Sequence, residues 1–282
     1  MTISSAIIQG IIQGLTEFLP ISSSGHLALY QHFTNKNIDN GLLFSVILHL
    51  GTLAAIFVVF RKTISELFIE FFKAIGDIFT GNFKKNLEKP SRRLLVMLFI
   101  ACLPLFFIYI FRDFYESLAG NPNLIFEGFC FLLTALLLFL ADRCVKGKKN
   151  ESNMKYKDSI AVGLVQAVLA PLPGVSRSGS TISTGLLSGF SKEFAVKFSF
   201  ILGIPTILGG CVFEISAAID ELKTTNLAPI IIGFFVSALV GYLSMKLVNW
   251  IVKTDKFKIF EIYTVILGVA VILIGLYERF FV

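Results

Sequence analysis

The sequence predicts an all-α polytopic membrane protein, and three observations lead to this prediction. Of its 282 residues, 55% are hydrophobic and only 16% are charged, which leaves more apolar surface than a soluble chain of this length can bury. Six apolar runs are each long enough to cross a bilayer, which takes about 17 to 25 residues. Two further apolar regions are interrupted near their middles by proline and glycine, a pattern tolerated at membrane depth only inside protein or beside a water-filled cavity.

The elements follow in order along a single predicted membrane domain, residues 1–282. The six predicted transmembrane spans lie near Leu42–Phe60, Leu94–Phe111, Asn123–Ala141, Phe198–Ser216, Leu227–Val248 and Ile259–Leu276. The two interrupted regions are Ile3–Phe33 and Ser159–Phe190. Each of them predicts a re-entrant pair of short helices that enters the membrane and returns to the same side.

The basic residues of the loops predict the orientation in the membrane. Seventeen Lys and Arg lie in one set of loops, Arg61–Arg93, Asp142–Asp158 and Asn249–Lys258. Three lie in the other set, Thr34–Gly41, Arg112–Pro122 and Ala217–Asn226. The positive-inside rule therefore places the first set in the cytoplasm and both termini outside it. The net charge of +6 is then explained by cytoplasmic loops, without a nucleic-acid partner.

The first cytoplasmic loop predicts a helix of its own. Apolar residues recur at helical spacing between Ile64 and Phe79. Charged residues occupy the other face, at Glu66, Glu70, Lys73 and Asp77. This pattern is typical of a helix that lies on the membrane surface.

The two halves of the chain, about 1–150 and 151–282, repeat each other. At an offset of 153 residues the matched pairs are Gly10 and Gly163, Gln13 and Gln166, and Pro20 and Pro173. After one extra residue the pairs are Ser22 and Ser176, Ser24 and Ser178, Gly25 and Gly179, Phe44 and Phe198, Ser45 and Ser199, Leu48 and Leu202, and Thr52 and Thr206. Three crossings in each half is an odd number, so the halves must be inserted in opposite senses. The prediction is an inverted-topology repeat, in which discontinuous helices meet near the bilayer midplane.

The first interruption gathers polar groups within apolar sequence. Gln13 and Glu17 are four residues apart and share one face of a helix, which Pro20 must end because it lacks an N–H group. The residues that follow are suited to capping a helix and to close approach of a ligand: Ser22, Ser23, Ser24 and Gly25. His26 then falls in the first turn of the next helix, where free N–H groups favour an anion. The pattern predicts a phosphate-sized site, with a polar turn between two buried helices as the alternative.

The second interruption places Arg177 in an otherwise apolar segment. A charged residue inside the membrane is costly, so it is expected to be paired and functional, and the guanidinium fork matches phosphate oxygens. Its neighbours at the start of the next helix are Ser176, Ser178, Gly179, Ser180 and Thr181. A structural salt bridge between Arg177 and Glu17, with no substrate, is the alternative.

Folding the halves together is expected to bring Glu17, His26 and Arg177 into one cavity. A carboxylate, an imidazole, hydroxyl groups and an arginine at two helix starts suit phosphoryl transfer, which depends on positioning and charge neutralisation. Ser23 and His26 are both candidate nucleophiles, with Glu17 orienting or deprotonating the attacking group. The interpretation that we favour has His26 as the general base for Ser23, with Glu17 orienting the imidazole or holding a metal ion; direct attack by His26 is the alternative.

At this point the sequence can be compared with a known family. The stretches QGLTEFLPISSSGH, at 13–26, and PGVSRSGSTIS, at 173–183, closely resemble the signature motifs of the undecaprenyl-diphosphate phosphatase (bacitracin-resistance protein) family of bacterial inner membranes. The resemblance covers essentially the whole chain. It implies hydrolysis of a polyprenyl diphosphate lipid, undecaprenyl diphosphate, to undecaprenyl phosphate, which recycles the lipid carrier for peptidoglycan synthesis. It also implies a divalent cation, Mg²⁺ or Ca²⁺.

The resemblance assigns roles residue by residue. The family's catalytic and phosphate-binding positions fall on Glu17, Ser23, His26, Ser176, Arg177 and Thr181. Its glutamate-rich metal motif falls on Gln13 and Glu17, and Gln13 stands where many members carry glutamate. An amide offers a carbonyl to a metal but no charge, so Glu17 alone must supply the carboxylate.

A secondary transporter or lipid flippase is the rival function, because inverted repeats with broken helices at the midplane are also transporter anatomy. A transporter needs groups that bind phosphate but no nucleophile. The sequence leaves open which of the two candidates attacks, which metal is preferred and whether the protein forms a homodimer.

Overall fold

The computed structural model describes residues 1–34, 42–119, 124–222, 226–254 and 256–281. These ranges contain thirteen α-helices and one turn of 3₁₀ helix, Tyr109–Phe111. The helices are α1 (Ile3–Phe18), α2 (Ser23–Thr34), α3 (Leu42–Val59), α4 (Arg61–Thr80), α5 (Phe83–Asn86), α6 (Pro90–Ile108), α7 (Arg112–Ala119), α8 (Leu124–Asp142), α9 (Tyr156–Leu169), α10 (Arg177–Leu187), α11 (Lys192–Leu222), α12 (Leu227–Lys253) and α13 (Lys258–Phe281). The all-α prediction is confirmed.

Five helices in the described part of the chain are long and apolar enough to cross a membrane. They are α3, α8, the Lys192–Val212 part of α11, α12 and α13. Each coincides with a predicted span. Helix α6 covers the remaining predicted span but is not among these five, so the sixth crossing stays a prediction. The loops predicted opposite the cytoplasm fall partly on residues 35–41, 120–123 and 223–225, which lie outside the described residues.

Each interrupted region packs against a helix from the other half of the sequence. Helix α1 packs along α12, and α9 packs along α6. The repeat-matched residues Gly10 and Gly163 lie at these two contacts, where Gly10 faces Val236 and Gly163 faces the backbone of Ala101. A side chain at Gly163 would collide with the Ala101 backbone, and one at Gly10 would crowd Val236. Small residues at such contacts let helices approach closely in membranes.

Helix α4 turns its acidic side toward the protein. Arg92 in α6 is fully buried and forms ion pairs with Glu70 at 3.1 Å and Asp77 at 2.8 Å. Hydrogen bonds from Arg92 and Asn86 lower the pKa of Asp77. The opposite side exposes a phenylalanine face made of Phe68, Phe71, Phe72 and Phe79. The amphipathic helix predicted from the sequence is therefore present, and its ion pairs join it to α6.

Candidate active site

The first interruption is a tight turn that starts helix α2. Helix α1 ends at Phe18 and α2 begins at Ser23. Between them Ser22 adopts a left-handed backbone with φ of 76°, a conformation that few residues other than glycine accept without strain. The Ser22 hydroxyl accepts a hydrogen bond from the Gly25 N–H at 3.2 Å. Ser22 therefore caps α2 as the sequence predicts.

The second interruption starts helix α10 in the same way. Helix α9 ends at Leu169, Gly174 turns the chain with φ of 93°, and α10 begins at Arg177. The Ser176 hydroxyl caps this helix by accepting from the Gly179 N–H at 3.0 Å. The Ser176 N–H donates to Thr134 of α8 at 3.0 Å, which fixes the turn against a membrane-spanning helix.

The two interruptions meet around a cavity of about 270 Å³. The Ser178 hydroxyl donates to the carbonyl of Leu19, which ties the start of α10 directly to the end of α1. The polar residues that line the cavity come from both halves and are Thr16, Glu17, Ser23, Ser24, His49, Gln166, Ser176, Arg177, Ser178 and Thr206. The predicted meeting of the two motifs is thus present in the structure.

Glu17 is the centre of the polar network in this cavity. One carboxylate oxygen, Oε1, accepts from Arg177 Nη2 at 2.5 Å. The other, Oε2, accepts from the Ser23 hydroxyl at 2.9 Å and from the Gln13 amide at 3.0 Å. Gln13 and Glu17 share the helix face that their spacing predicts. Since Arg177 Nη1 has no hydrogen-bond partner among the described residues, the guanidinium keeps a buried donor that a ligand can use.

His26 does not line this cavity, and the expectation that it shares one site with Glu17 and Arg177 stays a prediction. Its Nδ1 donates to the Ser22 carbonyl at 2.6 Å, which leaves Nε2 to accept from the Tyr263 hydroxyl at 2.7 Å. The imidazole ring also stacks on the Tyr263 ring and meets the edge of Phe131. His26 does begin α2 as predicted, but both of its ring nitrogens are already bonded. Tyr263 belongs to α13, at a sequence distance that no local pattern reveals.

The other predicted residues divide into cavity lining and support. Ser24 lines the cavity with Ser23, whereas Gly25 and Gly179 lie in the first turns behind it. Thr181 bonds to the Arg177 carbonyl at 2.9 Å and to Ser199 of α11 at 2.6 Å. Thr181 therefore holds the first turn of α10 and does not line the cavity.

Four residues that line the cavity are not among the predicted site residues: Thr16, His49, Gln166 and Thr206. Thr16 lies within the first motif, next to Glu17, and the other three lie outside both motifs. His49 Nδ1 donates to the Ser45 carbonyl at 2.9 Å, so its other ring nitrogen is the acceptor. The repeat offered a signal for two of them, because Gln166 and Thr206 are the matched partners of Gln13 and Thr52.

The amino-acid sequence is similar to proteins of a known family. A family model described as bacitracin resistance protein BacA matches residues 6–270. The chain belongs to the bacitracin resistance protein family. A relative from Carboxydothermus hydrogenoformans, named undecaprenyl-diphosphatase, is 37% identical over 98% of this chain and 98% of its own length. A relative of the same name from Alkaliphilus metalliredigens is 40% identical over 98% of this chain and all of its own length. A third, from Methanosphaera stadtmanae, is 38% identical over 98% and 99%.

The residues present fit a divalent cation only if the substrate completes its coordination. No group of three or more His, Cys, Asp or Glu side chains within the described ranges is arranged to hold a metal ion. The cavity offers the Glu17 carboxylate, and the buried Gln13 Oε1 next to it has no hydrogen-bond partner among those residues. Mg²⁺ is often held by one or two carboxylates plus substrate phosphates and water. Gln13 and Glu17 as metal ligands stay a prediction.

Proposed function

We propose that the protein hydrolyses undecaprenyl diphosphate to undecaprenyl phosphate and inorganic phosphate in the bacterial inner membrane. This reaction recycles the lipid carrier for cell-wall synthesis and gives resistance to bacitracin. The observation that carries the proposal is the contact of Ser23 and Arg177 with one buried carboxylate, Glu17, in a cavity where two helices start. It is supported by the full-length similarity to relatives that bear this enzyme's name.

Ser23 is the nucleophile in the mechanism that the contacts favour. Its hydroxyl already donates to Glu17 at 2.9 Å, so the carboxylate can take the proton as the oxygen attacks the terminal phosphorus. The bond from that phosphorus to the bridging oxygen breaks, and undecaprenyl phosphate leaves with the electron pair. Water then attacks the phosphoserine, the serine oxygen takes back the proton from Glu17, and inorganic phosphate is released.

Arg177 neutralises the phosphoryl group as it is transferred. The unpartnered Nη1 supplies one donor, and Nη2 supplies a second when phosphate replaces Glu17 as its partner. Ser176 and Ser178 add hydroxyl groups at the start of α10, where the helix dipole favours an anion. Such preorganised donors act where charge develops, which is the main source of catalysis in phosphoryl transfer.

A second mechanism has His26 attack the phosphorus directly, with the serines as phosphate donors only. It requires the imidazole to leave its bonds to Ser22 and Tyr263 and to turn into the cavity. In the arrangement described here, His26 instead braces the first turn of α2 against α13, which keeps Ser23 beside Glu17.

A divalent cation, Mg²⁺ or Ca²⁺, belongs to the proposal through Glu17 and the Gln13 carbonyl. When bound, it would supply positive charge to the phosphate oxygens. Gln13→Glu adds a second carboxylate to this pair, so we expect turnover to be kept and the half-activating Mg²⁺ concentration to fall about tenfold. Metal-activation curves of the purified variant and the wild type measure this. A higher Mg²⁺ requirement in the variant would remove Gln13 from the metal site.

The membrane arrangement that we propose has six crossings and two re-entrant helix pairs in an inverted repeat. It is supported by the packing of each half on the other, since α1 packs on α12 of the second half and its repeat counterpart α9 packs on α6 of the first half. In this arrangement the first residues of α2 and of α10 both face the common cavity. The homodimer is not part of the proposal.

Cysteine labelling tests the proposed orientation. We expect Asn82→Cys, in a variant that lacks the four native cysteines, to resist a membrane-impermeant thiol reagent in intact cells, because its loop is cytoplasmic. Asn226→Cys, at the start of α12, is expected to react. Both positions are exposed, so permeabilised cells provide the control in which both should be labelled. Labelling of Asn82→Cys from outside contradicts the arrangement.

Phosphate release by the purified protein in detergent separates a hydrolase from a transporter or flippase. We expect stoichiometric undecaprenyl phosphate and inorganic phosphate from undecaprenyl diphosphate. A transporter would bind the lipid and leave it intact. Binding without release by the purified protein at any Mg²⁺ or Ca²⁺ concentration would favour the rival function.

A further inference from the structure

Gln166 is a buried glutamine that the proposed mechanism does not use. It is 0% exposed, and neither its Nε2 nor its Oε1 has a hydrogen-bond partner among the described residues. The side chain lines the cavity that also contains Glu17 and Arg177. Buried polar groups are nearly always hydrogen-bonded in folded proteins, because leaving them unpaired is costly. An amide with both ends free at the wall of a ligand cavity indicates a missing ligand.

The repeat explains why this amide is free. Its matched residue, Gln13, donates to Glu17 four residues further on. The position that matches Glu17 at the same offset is Ala170, which also lines the cavity. The second half therefore has the glutamine but no carboxylate four residues after it, so the Gln166 amide is available to a ligand.

An apolar groove lies beside Gln166, between α6 and α9. Its volume is about 540 Å³, and its lining includes Pro104, Tyr156, Ile160, Leu164, Ala167 and Val168. From Tyr156 to Val168 the groove follows about 18 Å of helix at 1.5 Å per residue.

On both helices, consecutive residues line the groove and the catalytic cavity. In α6, Pro104 lines the groove and the next residue, Leu105, lines the cavity. In α9, Ala167 lines the groove and the residue before it, Gln166, lines the cavity. A molecule with a polar head and a long apolar chain can place the head in one and the chain in the other. That is the chemistry of an isoprenoid diphosphate.

We propose that Gln166 binds the phosphate that stays on the lipid, and that the isoprenoid chain leaves the cavity along the α6–α9 groove. The assignment rests on the proposed function. Arg177 and Ser23 hold the transferred phosphoryl group on the Glu17 side, so the retained phosphate lies on the side where the chain begins. There the Gln166 Nε2 donates to a phosphate oxygen without adding charge. The occupant of the groove is the substrate chain and not bulk lipid.

Gln166→Leu tests the first half of this proposal, with Gln9→Leu as the matched control. Gln9 is also a buried glutamine in a broken-helix pair, but its amide donates to Ser5 and it does not line the cavity. For Gln166→Leu we expect a ten- to hundredfold rise, roughly, in the KM for undecaprenyl diphosphate and in the inhibition constants of undecaprenyl phosphate and inorganic pyrophosphate. The inhibition constant of inorganic phosphate is expected to stay unchanged in Gln166→Leu, because inorganic phosphate needs only the Arg177 side of the cavity. In Gln9→Leu the KM and all three inhibition constants are expected to equal those of the wild type.

Leu164→Trp tests the groove, with Leu243→Trp as the matched control. The two leucines are similarly exposed, at 50% and 54%, and Leu243 faces outward from α12 away from both cavities. In Leu164→Trp the indole fills the groove, so undecaprenyl phosphate should inhibit at least about fivefold more weakly. Inorganic pyrophosphate, which has no chain, should inhibit as in the wild type. If undecaprenyl phosphate inhibits both leucine variants equally, the groove holds bulk lipid, and the proposed path of the isoprenoid chain is wrong.

The outcomes separate this inference from the function on which it rests. A wild-type protein that releases no phosphate refutes the proposed function itself. An active wild type with unchanged constants in Gln166→Leu, or with inorganic phosphate weakened as much as undecaprenyl phosphate, refutes only the retained-phosphate subsite.

Discussion

Ser23→Ala and Glu17→Gln are each expected to lower phosphate release from undecaprenyl diphosphate by at least about a thousandfold. Removing the Ser23 hydroxyl removes the attacking oxygen, and removing the Glu17 charge removes the base that takes its proton. General-base catalysis alone contributes about a hundred- to ten-thousandfold, and residues that act as one unit each cost nearly the whole effect. The double variant should therefore be scarcely slower than either single variant.

Two controls separate this effect from loss of folding. Ser244→Ala removes a buried hydroxyl in α12 that donates to the Val240 carbonyl of the same helix. Glu278→Gln removes a carboxylate that pairs with His32 at 2.9 Å, between α13 and α2. Both should keep turnover close to that of the wild type. Initial rates in one detergent preparation measure all four variants. Full activity of Glu17→Gln would remove the carboxylate from the mechanism.

Arg177→Lys is expected to lower kcat by about a hundredfold or more, although the positive charge is kept. Lysine is a point charge on a flexible chain and lacks the planar fork that donates two parallel hydrogen bonds. Loss of one preorganised donor to a developing charge costs about a hundred- to a thousandfold. The shorter reach of lysine also separates Glu17 from its partner at the start of α10.

The matched control for this variant is Arg143→Lys. Arg143, the residue directly after α8, pairs with Glu261 of α13 at 3.2 Å, outside the cavity. A general intolerance of lysine in helix-joining ion pairs would slow both variants. We expect only Arg177→Lys to be slow in kcat measurements at saturating lipid. Near wild-type turnover of Arg177→Lys would leave the alternative noted from the sequence, a purely structural bridge to Glu17.

Sequence reasoning succeeded where the determinants are local. Pro20 forces α1 to end, and the serines that follow cap α2 at the predicted place. Ser176 does the same for α10, so Arg177 stands in its first position as expected. The repeat then brings the two helix starts together, which places Glu17 beside Arg177 although they are 160 residues apart.

A side chain with two possible partners across the fold could not be placed from the sequence. His26 lies in the first turn of a helix that could present it either to the cavity or to α13, and in the structure its Nε2 bonds to Tyr263 of α13. Nothing near His26 in the sequence encodes that choice. The repeat identified Gln166 as the partner of Gln13. That Ala170 stands where the first half has Glu17 became relevant only in the structure, where Gln166 and Ala170 line one cavity.

In the proposed mechanism Ser23 is the residue that receives the phosphoryl group. Acid quenching of the purified protein during turnover of undecaprenyl diphosphate, followed by mass spectrometry that locates phosphate on peptides, measures this directly. We predict acid-stable phosphoserine at Ser23, absent in Ser23→Ala and present at higher occupancy when hydrolysis of the intermediate is slowed at low temperature. Phosphate on His26, detected in a parallel alkaline quench because phosphohistidine is acid-labile, would contradict the account.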